Sequence, residues 1–162
     1  HPIAGSEQSG FEHATADLFQ QRVCVVCRHA DQAAAADRVA GFWRQIGMQI
    51  RFMSAAEHDR VLARTSHLPH VLASVAAGCV SDSELEFTGT GFRDTTRIAA
   101  GSAEIWSSIL LQNREACLNA IDAASGVLAA FRDAIERADG ERLSDLWNSA
   151  AARRRRLDDP GT

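Results

Sequence analysis

The sequence predicts a mainly helical protein, in which a short α/β segment is followed by an all-helical region. Three observations support this fold class. The apolar run VCVVC at 23–27 is typical of a buried parallel strand. A helical pattern and a second strand follow within about 30 residues, as in a βαβ unit. From residue 54 onward, apolar residues recur at helical spacing. The two regions are therefore predicted to divide near residue 53.

The first region is predicted to contain a strand, a helix and a second strand. Asp31 is a candidate N-cap for a helix over 32–46, and Gly47 is well placed to end it. One helical stripe is formed by Val39, Phe42, Trp43 and Ile46. Residues 49–53 (QIRFM) alternate weakly and predict the second strand. This arrangement is the end of a larger α/β sheet or a single βαβ unit.

The second region begins with a predicted capping box, formed by Ser54 and by Glu57 three residues later. A helical pattern then runs to about Val80. Pro69 is expected to interrupt it, because proline has no N–H to donate and its ring displaces the preceding turn. Residues 81–101 are polar and contain several glycines, which predicts a loop.

A third stretch predicts one long helix. Ser102 is a candidate N-cap, and a stripe with alternating gaps of four and three follows, consisting of Trp106, Leu110, Asn113, Cys117, Ala120, Ala124, Leu128, Phe131 and Ile135. Such a helix has about 35 residues and a length of about 50 Å. That length indicates a helical bundle, which two subunits can share. Asp139–Gly140 should end it, and a last helix is predicted over 141–156.

The composition excludes several classes of chemistry and partner. All 17 basic residues are Arg, and Tyr is absent, so a lysine Schiff base, a Walker A lysine and a catalytic tyrosine are excluded. The net charge of −4 argues against a nucleic-acid partner, and the basic run at 153–156 is interpreted as a solvated helix end. No apolar stretch of about 18 residues is present, so no membrane partner is expected.

The four cysteines lack the spacing of a disulfide framework; they are Cys24, Cys27, Cys79 and Cys117. Cys24 and Cys27 are three residues apart on a predicted strand, so they face opposite sides and chelate a metal poorly. We therefore predict that all four are reduced packing residues of a cytoplasmic protein, and that the chain holds no metal ion.

Histidines gather at two places in the sequence. His1 precedes Pro2 and is either an ordinary terminal residue or a proton acceptor at neutral pH. Three others surround the proline interruption, namely His58, His67 and His70. They are interpreted as packing residues at a kink, or as metal ligands of a helical hydrolase that also uses Asp59.

The segment 89–97, GTGFRDTTR, is a candidate anion site. Arg93 and Arg97 are four residues apart and share a face if the segment is helical, and Asp94 can orient Arg97 through an ion pair. Two guanidinium groups near a helix N-terminus suit carboxylates or phosphate. The alternative is a solvated, salt-bridged turn. GTG alone is not a dinucleotide fingerprint, because the third glycine is missing.

Several separated motifs also occur in a distinctive order. They are HPIAGSEQSG at 1–10, HDRVLARTSHLPH at 58–70, GFRDTTRIA at 91–99, and Trp106. Together they resemble the prephenate dehydrogenase family, which includes arogenate and cyclohexadienyl dehydrogenases of tyrosine biosynthesis, over nearly the whole chain. The resemblance implies that 1–53 is the distal part of an NAD(P)-binding, Rossmann-like domain. It implies that 54–162 is an all-helical domain for substrate binding and homodimerisation.

The resemblance also implies an activity: NAD- or NADP-dependent oxidative decarboxylation of prephenate or arogenate, giving 4-hydroxyphenylpyruvate or tyrosine. By resemblance, His1 is the catalytic histidine that accepts a hydrogen bond from the substrate hydroxyl. Arg97 binds a substrate carboxylate, and Arg93 stands where many relatives have Lys. The remaining candidate substrate-binding residues are His70, His58, Asp94 and Trp106. Thr95 departs from the Phe that relatives usually carry, which affects the expected pocket lining.

The Gly-rich cofactor fingerprint does not occur in the sequence. No cofactor-binding residues are therefore assigned, and the isolated chain is expected to be inactive because hydride transfer needs a positioned acceptor. Two alternatives to the dehydrogenase interpretation stay open. They are a non-catalytic helical dimerisation module and the helical metal-dependent hydrolase described above.

Overall fold

The computed structural model describes residues 1–5, 10–28 and 30–158, so part of the first motif (6–9) and the last four residues lie outside the described chain. The chain forms two compact units, His1–Cys117 and Leu118–Thr162. The first unit contains the strands together with the first helices of the helical region. The domain division at 53/54 stays a prediction.

The predicted strand, helix and strand are all present. Strand β1 (Val23–Cys27) pairs in parallel with β2 (Gln49–Met53), residue for residue along its whole length. Helix α1 (Ala33–Gln45) connects them and follows a 3₁₀ turn, Ala30–Gln32. Gly47 has a φ of 91°, a left-handed conformation that glycine adopts without strain, and it lets the chain turn from α1 into β2.

The core of this βαβ unit uses small residues of α1. Its buried members are Cys24, Val26, Ala36, Ala40 and Met48. The predicted stripe is only partly right: Trp43 packs against this core, whereas Val39 and Phe42 are 47% and 56% exposed. Alanine allows a helix to approach a sheet closely, so the larger side chains lie on its flanks. Asp31 lies inside the 3₁₀ turn, and Gln32 occupies the N-cap position of α1.

The first residues of the chain lie along the edge of β1 opposite β2. The Ile3 N–H donates to the Val23 carbonyl at 2.7 Å, and the Val25 N–H donates to the His1 carbonyl at 2.9 Å. These bonds flank an antiparallel bridge in which Pro2 is a partner. Proline is tolerated there because the flanking residues supply the hydrogen bonds. The bridge fixes His1 beside the carboxyl half of β1.

Helix α2 (Ala55–Leu62) begins where the sequence predicts, with the Ser54 hydroxyl accepting from the Glu57 N–H at 3.1 Å. A wide π-helical turn (Ala63–His67) follows, and then helix α3 (Leu68–Gly78). In this turn the N–H of residue 68 donates to the carbonyl of residue 63, five positions earlier. Pro69 explains the irregularity, because it cannot donate to the carbonyl four residues before it. The interruption predicted at the proline is thus present as a wide turn.

The predicted loop over 81–101 is wrong in form, because most of it is helical. It contains a 3₁₀ segment (Asp82–Phe87), helix α4 (Thr90–Thr96) and a 3₁₀ turn (Arg97–Ala100). The first segment is held by a capping box between Ser81 and Glu84, in which the Ser81 N–H donates to the Glu84 carboxylate at 2.8 Å. Short capped turns of this kind need no apolar period, so the pattern did not reveal them.

The predicted long helix is two helices, α5 (Ala103–Gln112) and α6 (Arg114–Glu136). They meet at Asn113, whose φ of −109° and ψ of 36° are not helical. The apolar period continues across this residue and therefore gives no sign of the break. At this break the Asn113 amide makes hydrogen bonds outside the helix, which an apolar period cannot show.

The last helix, α7 (Gly140–Arg155), is present as predicted. Its N-terminus is capped by the Asp139 carboxylate, which accepts from the Arg142 N–H at 2.9 Å. Within the described ranges, no helix combines the length and apolar character needed to cross a membrane.

The cysteine prediction is half right. All four thiols are free, and Cys24 and Cys117 are buried. Cys27 and Cys79 are exposed, because one ends β1 and the other follows the last residue of α3. They are not packing residues.

Candidate functional site

Trp106 of α5 borders two cavities in the first unit. One, of about 560 Å³, is lined by residues 1–4, by part of the π-helical turn and by α5. We call it the His1 cavity. The other, of about 420 Å³, is lined by α3, by the 3₁₀ turn at 97–100 and by α5, and we call it the His70 cavity. Gly101 lets the Trp106 indole approach the backbone, since a Cβ there would lie 2.6 Å from its Nε1.

His1 ends a short chain of hydrogen-bonded side chains. Its Nδ1 lies 2.7 Å from Nε2 of His58, and the two rings are tilted by 58°. Nδ1 of His58 lies 2.9 Å from the Asp59 carboxylate. The backbone nitrogen of His1 donates to the Val25 carbonyl at 2.8 Å, and this bond holds His1 against β1. His1 also borders a groove of about 330 Å³ beside β1 and α1, so it lies where this groove meets the His1 cavity.

His70 is held against Trp106. The two rings stack with centroids 3.5 Å apart and an interplanar angle of 26°. His70 Nδ1 lies 2.9 Å from the Ser66 carbonyl, and because a carbonyl only accepts, this nitrogen carries the proton. When the ring is neutral, Nε2 is therefore its hydrogen-bond acceptor. Stacking and this bond fix the orientation of the imidazole at the wall of the His70 cavity.

His67 contacts the break between α5 and α6. Its Nδ1 lies 3.3 Å from the Asn113 amide nitrogen and 3.4 Å from the Cys117 sulfur. An amide N–H and a thiol both donate, so Nδ1 is the acceptor in the neutral ring. Burial, followed by the nearby His58 and His70, lowers the pKa of His67 below its ordinary 6.5, although Asp59 opposes this shift. Burial likewise raises the pKa of the Cys117 thiol, so both groups are neutral at pH 7.

The lowered pKa of His67 predicts a pH-dependent stability. Below its ordinary value of 6.5, the unfolded chain takes up a proton at this residue while the folded chain does not. The free energy of unfolding should therefore fall as the pH drops from 6.5 towards the lowered pKa, and this group should have no effect above that window. Urea unfolding of the wild type and of His67→Gln at both ends of the window measures the difference. A wild type no more acid-sensitive than the variant would contradict the prediction.

The predicted arginine site is only partly assembled. Arg93 and Asp94 lie on α4 and Arg97 opens the following 3₁₀ turn, and all three are exposed. Arg97 is also the C-cap residue of α4 and has α-helical backbone angles (φ −48°, ψ −45°), so the spacing from Arg93 still corresponds to about one helical turn. Among the described residues that line the two cavities, neither arginine is present. Ile98 and Ala99, directly after Arg97, do line the His70 cavity.

The structure thus joins His1 with His58, and His70 with Trp106, but leaves the arginines outside the His1 cavity of the single chain. Sequence reasoning missed Ser66 and Asn113. The only sequence signal for Asn113 is its amide in an otherwise apolar stripe. For Ser66 the signal is a polar residue three positions before a helix-interrupting proline.

The histidines do not converge on one point. His58 faces His1, His67 faces Asn113, and His70 faces Ser66. In the described part of the chain, no group of three or more His, Cys, Asp or Glu residues is arranged to hold a metal ion. The geometry therefore gives the hydrolase alternative no support.

The chain resembles known proteins along most of its length. Residues 54–148 match the family model described as prephenate dehydrogenase, dimerization domain. A cyclohexadienyl dehydrogenase of Zymomonas mobilis is 37% identical over 158 residues, which are 93% of this chain and 54% of that protein. A prephenate dehydrogenase of Bacillus subtilis is 30% identical over 158 residues, again 93% of this chain but 42% of the relative. The chain thus spans about half the length of these curated relatives.

Solved structures agree with these matches. The crystal structure of prephenate dehydrogenase from Aquifex aeolicus in complex with hydroxyphenyl propionate and NAD⁺ has a TM-score of 0.85 and 27% identity, and the match covers 97% of this chain and 57% of that one. Synechocystis arogenate dehydrogenase has a TM-score of 0.84 over 97% of this chain and 60% of its own, and at 22% identity it supports the fold alone.

Proposed function

Because this chain belongs to the prephenate dehydrogenase family, we propose that it forms the substrate-binding portion of a tyrosine-pathway dehydrogenase. The proposed reaction is the oxidative decarboxylation of prephenate or arogenate with NAD or NADP. The observation that carries the proposal is the position of His1, which lies where the groove beside β1 meets the His1 cavity. In the Aquifex aeolicus relative, NAD⁺ and a hydroxyphenyl ligand are bound together.

This chain offers a binding groove for the nicotinamide end of the cofactor only. Cofactors of α/β domains lie at the carboxyl ends of the parallel strands, and the groove beside His1 includes Cys27, the last residue of β1. Its other lining side chains are mostly small and apolar, for example Ala35 and Ala36, which suits a flat nicotinamide ring. When bound there, the nicotinamide would accept the hydride. The Gly-rich fingerprint that binds a pyrophosphate does not occur in this sequence, so we propose that a separate cofactor-binding half supplies it.

His1 is the proposed proton acceptor. Oxidation of the ring alcohol requires the hydroxyl to lose its proton, and a neutral imidazole within hydrogen-bond reach can take it. His1 borders the His1 cavity, and its backbone is fixed by the bridge to β1. In this arrangement the imidazole is held on a strand edge, which positions a base better than a mobile loop does.

Arg97 and Arg93 are the proposed carboxylate-binding residues, with Asp94 as part of the ionic network. The substrates are dianionic or zwitterionic, and guanidinium groups bind carboxylates in a bidentate manner. We propose that the dimer completes the site, with either protomer contributing the arginines. His70 adds a fixed polar group, and Trp106 forms the wall between the cavities.

The proposed homodimer forms through the helices of the family's dimerisation region. On α5 and α6, large apolar side chains remain 50% or more exposed in the single chain; they are Ile105, Leu111, Leu118, Val127, Leu128 and Ile135. Exposed apolar side chains along a helix of this kind indicate that another protein covers it. A second copy of the chain would bury them.

The complete enzyme, meaning this chain joined to its proposed cofactor-binding half, tests the function. We expect the 162-residue chain alone to show no turnover of prephenate or arogenate with NAD or NADP, because it cannot hold the pyrophosphate. The complete enzyme should form the reduced nicotinamide, measured by its absorbance, with at least one substrate. Turnover by the chain alone contradicts the need for a second half. A complete enzyme inactive on both substrates contradicts the proposed function.

A further inference from the structure

We propose that His58 and Asp59 are positioning residues that fix the tautomer of His1, so that its Nε2 is the free acceptor nitrogen. The inference rests on the proposed role of His1 as the proton acceptor, and it assigns His58 to the base rather than to the substrate. In the structure His58 lines neither the His1 cavity nor the His70 cavity, within the described residues, whereas its Nε2 lies 2.7 Å from His1 Nδ1.

The direction of each hydrogen bond follows from the donors available. An ionised carboxylate only accepts, so His58 Nδ1, at 2.9 Å from Asp59, must carry a proton. In a neutral His58 the other nitrogen, Nε2, is then a lone pair. His1 Nδ1 faces that lone pair at 2.7 Å and must itself carry a proton. The neutral His1 ring consequently has its lone pair on Nε2.

The opposite arrangement would make His1 useless as a base. If His1 carried its proton on Nε2, its bare Nδ1 would face the His58 nitrogen and would need a proton from it. His58 would then hold a proton on both nitrogens and be an imidazolium. The two arrangements differ by one proton on His58, and they place the His1 proton on different nitrogens. The tautomer of the His1 ring therefore distinguishes them directly.

Both ends of this hydrogen-bonded chain are anchored in the fold. His1 is fixed by its backbone bonds to β1. The backbone carbonyl of Asp59 accepts from the Asn113 amide at 2.8 Å, which ties α2 to the break before α6. The His58 side chain is only 20% exposed, while Asp59 is 54% exposed. His58 is thus mostly covered by protein, whereas its bond to the exposed His1 and the Asp59 carboxylate lie at the surface.

The hydrogen-bonded side chains of His1, His58 and Asp59 can also carry a proton away from the site. When His1 Nε2 takes the hydroxyl proton, the Nδ1 proton of His1 can pass to Nε2 of His58. His1 is then neutral again with its proton on Nε2, and the single positive charge lies on His58 beside the Asp59 carboxylate. One proton has entered and none has left, so the step balances. An ion pair of this kind stabilises the charge more than an isolated imidazolium would.

The test is a long-range ¹H–¹⁵N correlation spectrum of histidine-labelled protein at about pH 8, where ordinary imidazoles are neutral. The ¹⁵N shifts distinguish the protonated nitrogen from the bare one, and His1→Gln assigns the His1 signals. We expect His1 as the Nδ1–H tautomer in the wild type. His58→Phe should convert it to the Nε2–H tautomer, whereas His13→Phe, at an exposed histidine, should leave it unchanged. An Nε2–H tautomer in the wild type overturns the proposal, as does an unaltered tautomer in His58→Phe.

A kinetic comparison in the complete enzyme separates positioning from substrate binding. His58→Phe should lower kcat by about 10²-fold with KM changed less than about twofold, because the base is misoriented while the pocket is intact. His58→Gln should recover part of kcat, since its amide oxygen can accept from His1 Nδ1. A raised KM with equal losses in both variants would assign His58 to the substrate and overturn the proposal. The spectrum needs no turnover, so a wild type inactive on both substrates contradicts the proposed function and leaves the tautomer result standing.

Discussion

Replacing Arg97 with Ala in the complete enzyme is expected to lower kcat/KM roughly 10²-fold, which corresponds to a loss of about 3 kcal/mol of transition-state stabilisation. The reason is electrostatic: a substrate carboxylate that enters the site would lose its charged, bidentate partner and remain unpaired there. The kcat/KM of Arg97→Lys should lie between those of the wild type and Arg97→Ala, because lysine keeps the charge but not the forked geometry. Steady-state kinetics with each substrate measures the effect.

The matched control for Arg97 is Arg44→Ala, which removes an exposed guanidinium from the last turn of α1. It should leave kcat/KM unchanged. If Arg97→Ala keeps kcat/KM within about twofold of the wild type, Arg97 does not bind the carboxylate. The segment 89–97 is then better interpreted as a solvated turn, which was the alternative from the sequence.

The second large effect is expected at His1. His1→Gln in the complete enzyme should lower kcat by about 10²- to 10⁴-fold, because the substrate hydroxyl loses its proton acceptor. KM should change little, since the carboxylates would still be bound by the arginines. Rapid-mixing or steady-state assays of nicotinamide reduction give both parameters. Thermal unfolding of the variant shows whether the fold is retained, which matters because the His1 backbone bonds to β1.

His13→Gln provides the comparison for His1, since it changes an exposed histidine of the same unit. Its kcat should equal that of the wild type. A loss of less than about tenfold in His1→Gln would exclude His1 as the proton acceptor. It would also remove the basis for the relay through His58, even if the tautomer itself were as proposed.

Much of the fold follows from local sequence, because local chemistry decides it. VCVVC forms the buried strand. Gly47 follows the end of the crossover helix, where the backbone takes a positive φ that glycine adopts without strain. The long helix fails as a prediction at a single residue, Asn113. Its amide binds groups 46 and 54 residues away along the chain. No periodicity within the stripe carries that information.

The site shows the same limit. Motifs identified His1, His70 and Trp106 as candidates, and the structure places His1 and His70 each beside a cavity that Trp106 borders. The contact between His1 and His58 spans 57 residues and depends on the bridge between residues 1–4 and β1. An antiparallel bridge formed by a proline-containing edge segment has no periodic signal. From the sequence, His58 is therefore a candidate for the substrate pocket by resemblance alone, and its contact with His1 has no signal.

The wide turn at 63–67 has a consequence for how this region can diverge. A π-helical turn corresponds to one residue inserted into a regular α-helix, and each residue advances the helix by about 100°. The wide turn accommodates that extra residue without changing which way the residues beyond it face. A residue deleted from the regular turns of α2 would instead rotate everything beyond it, including His70, by about 100° about the axis, and the imidazole would leave the indole on which it stacks. Descendants of this chain can therefore change length inside the turn more easily than in the regular helix before it.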